Sequence, residues 1–121
     1  MWQLKLSINK CSVISFNLNS ELIPFQYSIL NQSLNRVSSI KDLGILFSSN
    51  LNFSGHIDTV CKTARVRSEL ILKCFSSRDK VLLFKAFLTY VRPLLEYCCN
   101  VWSPYKLADI KQTRINPTKF Y

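Results

Sequence analysis

Glycine is almost absent from this chain: 121 residues carry two, Gly44 and Gly55. A dinucleotide-binding turn or a phosphate-cradling loop needs two or three glycines within a short window, so neither is present. Turns must instead be made by Asn, Ser and Pro. His56 is the single histidine, and the cysteines Cys11, Cys61, Cys74, Cys98 and Cys99 contain no C-x-x-C pair. A structural zinc centre takes four ligands from closely spaced pairs, so no metal site is expected. The odd cysteine count and irregular spacing argue for free thiols in a reducing compartment, each behaving as a small buried hydrophobe.

Carboxylates are also scarce, with four Asp and three Glu, none adjacent. Two-metal polymerase or nuclease chemistry needs carboxylates that hold ions about 4 Å apart. Asp42, Asp58, Asp79 and Asp109 fall on different expected elements. His56 and Cys61 are five apart, a spacing that faces them badly on a helix. No catalytic residue is assigned. The N-terminus has no charged leader followed by a long apolar core, so no signal peptide is expected and the chain is expected to be intracellular. The most apolar stretch, residues 81–102, is interrupted by Lys85, Arg92 and Glu96 and has Pro93 near its centre. One central charge costs a membrane span roughly 2.5–3.5 kcal/mol, whereas each Leu or Phe returns only about 0.3–0.6. Two helices outside a membrane fit this stretch better.

What the chain does have is basic charge: 16 Lys and Arg against 7 acidic residues, a net of +9. Such a balance suits a polyanion, with nucleic acid the first candidate and an anionic membrane the second. A hydrophobic content of 48% is that of a folded chain, and 121 residues make one domain or part of one. Trp2, Leu4 and Leu6 alternate with polar residues from the first positions, so patterned sequence begins abruptly, as at a cut edge of something larger.

The pattern predicts an α+β fold. A strand is expected within Ile8–Phe16. A polar loop, Asn17 to Pro24, follows. A second strand has Phe25, Tyr27 and Ile29 on one face, Asn31-Gln32 makes a turn, and Ser33 to Val37 returns as an antiparallel partner. Ser39 to Phe47 reads as one further short buried strand, and Asn50-Leu51-Asn52 as a turn. A first helix is expected from about Gly55 to Phe75, with Ser54 as N-cap and Asp58 near its positive end. Ile57, Val60, Cys61, Ala64, Ser68, Ile71, Leu72 and Phe75 form its apolar stripe, and Asp58, Lys62, Arg65, Glu69 and Lys73 its polar face, with Asp58–Lys62 and Glu69–Lys73 as favourable i,i+4 pairs. Ser76-Ser77 recaps a second helix, about Arg78 to Val91, apolar on nearly all sides and therefore expected to be buried or to pack against something missing from this chain. A third runs from about Pro93 to Trp102 and is expected to bury Leu94, Tyr97, Cys98 and Val101. The tail from Ala108 reads as frayed helix or coil.

Several stretches together resemble the reverse transcriptase of non-LTR (LINE-like) retrotransposons, downstream of its catalytic palm motif. These are WQLKLSINKCSV (Trp2–Val13), LNRVSSIKDLGILFSSNLNFSGHID (Leu34–Asp58), LFKAFLTYVRPLLEYCCNVWSPY (Leu83–Tyr105) and the following Asp109-Ile110. The third is the most specific, matching a Val-Arg-Pro, Leu-Glu-Tyr, Val-Trp-x-Pro signature. The resemblance implies residual palm and primer-grip strands over 1–50, a helical thumb-like region over 51–105 and a divergent tail over 106–121. The tail departs from the family's amphipathic Gln-Arg-Arg helix, which suggests a frameshift or truncation.

By the same resemblance Lys10 lies near the incoming nucleotide, and Lys41, Leu43 and Gly44 belong to the primer grip. Lys62, Arg65 and Lys73 are candidates for contact with a nucleic-acid backbone. The family's Mg2+ is held by a palm Asp-Asp that this sequence lacks. The chain is therefore expected to hold an RNA/DNA template–primer duplex without polymerase activity of its own and with no cofactor. A captured small basic nucleic-acid-binding module and a non-functional relic reading frame are the alternatives.

Overall fold

The computed structural model describes residues 6–16, 25–76 and 79–114. The alternation at Trp2 and Leu4, the expected loop at 17–24, Ser77 of the expected Ser76-Ser77 recap, Arg78 at the expected start of the second helix and the end of the tail from 115 lie outside the described residues. The fold is α+β: strands occupy the first half and helices the second. The chain divides into two compact units, Met1–Asn52 and Phe53–Tyr121.

In the first unit a 3-10 turn, Ile8–Lys10, leads into β1 (Ser12–Ile14). The strand expected within Ile8–Phe16 thus occupies three residues of the run that follows Lys10. Strands β2 (Ser28–Ile29) and β3 (Gln32–Ser33) form an antiparallel hairpin, with Ile29 opposite Gln32. Its turn is Leu30-Asn31, one residue earlier than expected, with φ of 49° and 61°. Two successive positive φ values give the twist that suits a two-residue hairpin. The returning segment is split. β4 (Asn35–Val37) leaves the hairpin and pairs in parallel with β1, placing Val13 beside Arg36. Parallel neighbours need a connection of a dozen residues or more, and the β2–β3 hairpin lies within that connection.

The stretch expected to be one buried strand is two strands. β5 (Ser39–Asp42) and β6 (Ile45–Ser48) pair antiparallel, with Asp42 opposite Ile45. Leu43 and Gly44 make the turn at φ 45° and 88°. Glycine reaches such values freely, whereas leucine there costs about 1 kcal/mol. Burial in this hairpin is confined mainly to Ile45, which is 4% exposed. Beyond β6, the expected turn is present: the Asn50 side chain accepts hydrogen bonds from Ser48 Oγ (2.8 Å) and Asn52 N (3.1 Å).

The second unit begins with α1 (Ser54–Cys74). Its N-cap is Phe53, not Ser54, and no side chain caps it. Ser54 is the first helical residue, and its hydroxyl donates instead to Asp109. The apolar stripe is as expected, with Ile57, Cys61, Ala64, Ser68 and Ile71 buried. Asp79 caps α2 (Lys80–Tyr90), its carboxylate accepting from Val81 N at 3.0 Å. Of the two outcomes expected for α2, burial on all sides is not found. Leu83, Ala86 and Phe87 are buried together with Val91, whereas Val81, Leu82 and Tyr90 are exposed. The core of this unit joins Ala64, Ile71, Leu83, Ala86, Phe87 and Val91, with Leu94 and Leu95 packed against it.

The expected third helix is broken. α3 (Arg92–Glu96) and α4 (Cys99–Trp102) are separated at Cys98, which takes φ 51°. The break turns Tyr97, Cys98 and Val101 outward, against expectation, and buries Trp102 to 2% exposure. The Trp102 indole N–H donates to the Tyr97 carbonyl at 2.8 Å. Of the cysteines only Cys61 is buried, so burial as a default for all five does not hold. α5 (Leu107–Thr113) is a regular helix where frayed helix or coil was expected, and it packs on α1.

Candidate functional site

The residues singled out in the sequence fall in three places. Lys10 closes the 3-10 turn before β1 and is exposed. Lys41, Leu43 and Gly44 share the β5–β6 hairpin. Lys41 sits opposite Leu46, and Leu43 is 82% exposed at the tip. A leucine at a left-handed turn position that also faces water gains nothing from burial. Leu30, 78% exposed at φ 49°, repeats the feature in the neighbouring hairpin.

Lys62, Arg65 and Lys73 lie in the second unit, all exposed on α1. At 1.5 Å rise per residue, about 16 Å of helix axis separates Lys62 from Lys73. The face is mixed in sign, because Asp58 and Glu69 share it. Lys62 Nζ is 2.6 Å from the Asp58 carboxylate, the i,i+4 pair expected from sequence. Gln112 of α5 donates to the same carboxylate at 2.7 Å. The Lys62 ammonium and the Gln112 amide together hold Asp58 below the usual carboxylate range. Lys73, in the last turn of α1, is placed where a helix dipole favours a cation. Arg67 Nη1 reaches the Tyr90 carbonyl at 3.4 Å and ties α1 to the end of α2.

Charge is unevenly divided. The second unit holds twelve Lys and Arg against five carboxylates, a net of +7, and the first a net of +2. Every described Lys and Arg of the second unit is exposed. Four of its five carboxylates make contacts within the fold. Asp58 bonds Lys62 and Gln112, Asp79 caps α2, and Glu96 pairs with Arg92. Asp109, only 8% exposed, accepts from Ser54 Oγ at 2.8 Å, and Lys106 Nζ lies 3.3 Å from that hydroxyl. His56 is likewise buried, its ring edge-to-face with Trp102 at 5.5 Å. Burial pushes the Cys61 thiol up. Among the described residues no group of three His, Cys, Asp or Glu could hold a metal ion, and no helix is long and apolar enough to cross a membrane.

Sequence reasoning missed the Ser54–Asp109 contact and the role of Gln112, which join positions more than fifty residues apart. It also read Phe25, Tyr27 and Arg36 only as strand residues, although all three line one groove. Their aromatic and cationic character was visible in the sequence, but their convergence was not.

No family model matches the chain, and no solved structure matches it. It is similar to an uncharacterized protein of Caenorhabditis elegans, 37% identical over 84 residues, which cover 69% of this chain and 42% of that protein. The chain thus spans less than half the length of that relative.

Proposed function

We propose that this chain is the template–primer-holding part of a reverse transcriptase of the non-LTR retrotransposon type, catalytically incomplete by itself. The observation that carries this reading is the division of charge: the helical unit is +7, with every described Lys and Arg exposed and nearly all its acids engaged within the fold. Such a surface binds phosphates without reading sequence. The residues of the Val-Arg-Pro…Val-Trp-x-Pro signature are mainly packing residues here. Val91 and Trp102 are buried, and Arg92 pairs with Glu96. Their role in this reading is to shape the holding unit.

The strand unit contributes the β5–β6 hairpin, whose exposed Leu43-Gly44 tip would meet the primer end, with Lys41 beside it. Lys10 would stand near an incoming nucleotide. Chemistry would come from Mg2+ held by palm carboxylates outside this sequence, and the residues described here supply no comparable cluster. Exposed apolar side chains on α2, Val81 at 62% and Leu82 at 40%, fit a part that packs against more protein.

The test is binding of an RNA–DNA duplex of arbitrary sequence as salt is raised. The expected result is a linear fall of log K with log salt, each neutralised phosphate adding about −0.9 to the slope. A flat salt dependence, or no binding at low salt, would overturn the reading.

A further inference from the structure

An open groove of about 250 Å³ in the strand unit is lined by Val13, Phe25, Gln26, Tyr27, Leu34 and Arg36. Three segments build it. β1 supplies Val13, which the parallel ladder sets beside Arg36 of β4. The segment entering β2 supplies Phe25 and Tyr27, whose rings meet edge-to-face at 4.9 Å. That segment is tied to the returning one at two points. Leu34 N donates to the Tyr27 carbonyl at 2.8 Å, and Arg36 Nη2 donates to the Phe25 carbonyl at 3.1 Å. These two hydrogen bonds link the walls to one another.

We infer that this groove is a binding site for an unpaired base of single-stranded nucleic acid, with the Tyr27 ring as the stacking face, the Phe25 ring, held edge-to-face to it, against the edge of the base, and Arg36 as the cation beside the strand's phosphate. Three observations favour this occupant. Both rings remain in water, Phe25 at 61% exposure and Tyr27 at 49%, in a groove that also carries a guanidinium. Aromatic faces interleaved with cations are the chemistry that binds single strands, since every base has a π-face and every nucleotide a phosphate. The volume, about 250 Å³ against the roughly 300–1,000 Å³ of small-molecule pockets, is enough for one planar ring. The chain as a whole is +9, which draws a polyanion and repels a cationic partner. A base inside a duplex is stacked on both sides and cannot enter, so the site goes beyond duplex holding and stands or falls independently of it.

The experiment titrates the full chain against fluorescent single-stranded oligothymidylate and, separately, a duplex of equal length. Tyr27→Ala should weaken single-strand binding about ten-fold, the size of one lost stack, while duplex binding changes less than about two-fold. Tyr27→Trp should keep single-strand affinity. Arg36→Gln should make the single-strand salt slope shallower by about 0.7. On the unchanged chain, photocrosslinking of an iodouracil-substituted single strand should map to Phe25 or Tyr27, a readout independent of whether variants fold. Crosslinks confined to other residues, Tyr27→Ala binding single strands as the parent does, or equal loss of both substrates would each overturn the inference.

Discussion

The strand unit and the helical unit solve the same problem with unequal means. Among the described residues the first buries only Ile45, whereas the second buries Trp102, Phe87, Val91, Ile57 and others around a continuous core. The first is made of two-stranded ladders whose strands run two to four residues. An isolated two-stranded hairpin is marginal in water, because half its backbone groups and both its faces stay wet. A helix satisfies its own backbone and needs only one covered stripe, which α1 obtains from α2, α3 and α5. The charge follows the same division, +7 on the better-packed unit and +2 on the other. The larger core and the basic surface therefore coincide in the helices, and the strands present turns and a groove.

The largest effect expected on this contrast is Trp102→Ala. Removing a buried Trp costs about 3–5 kcal/mol, enough to unfold the helical unit. Helix content should collapse in circular dichroism, with the loss confined to the second unit in hydrogen exchange. Asp109→Ala should be milder, about 1–3 kcal/mol, since it takes the acceptor from Ser54 in a largely buried setting. A shift of the urea midpoint without change in slope is the readout, and Asp109→Asn should recover part of it.

Leu43→Asn sharpens the comparison from the strand side. It relieves leucine at φ 45° and should stabilise the hairpin by about 1 kcal/mol, yet weaken holding of a primer end. Stability and duplex binding moving in opposite directions would mark the tip as functional, and improvement in both would remove Leu43 from the site.

The smallest effect concerns pH. The Lys62 ammonium and the Gln112 amide lower the Asp58 pKa below that of the unfolded chain. Its contribution is therefore present above the unfolded carboxylate pKa and is lost as pH falls through the folded value. Asp58→Asn should flatten the acid limb of the melting temperature against pH and leave the neutral region nearly unchanged.

How much of this was legible in the sequence depends on the range of the interaction. α1 was legible because its long amphipathic run repeats one stripe, and the Asp58–Lys62 pair because i,i+4 is local. The break at Cys98 was not, since cysteine carries no preference for φ 51° and nothing nearby signals a turn. Tyr97 and Val101 were therefore expected inside and lie outside. Leu43-Gly44 was read through as strand because leucine is a poor residue for the first turn position, where Asn or Asp is the usual sign. The parallel pairing of β1 with β4 and the Ser54–Asp109 contact depend on distant partners, which periodicity does not report. The candidate basic residues were legible by type, but the neutralising neighbours on α1 reduce what Lys62 can offer a phosphate.

The most direct measurement of the central claim is lysine acylation of the full chain, mapped by mass spectrometry with and without a bound RNA–DNA duplex. The helical unit as holder predicts that Lys62 and Lys73 become protected, with weaker protection at Lys41 on the hairpin. Unchanged acylation at Lys62 and Lys73 while the duplex remains bound would contradict it.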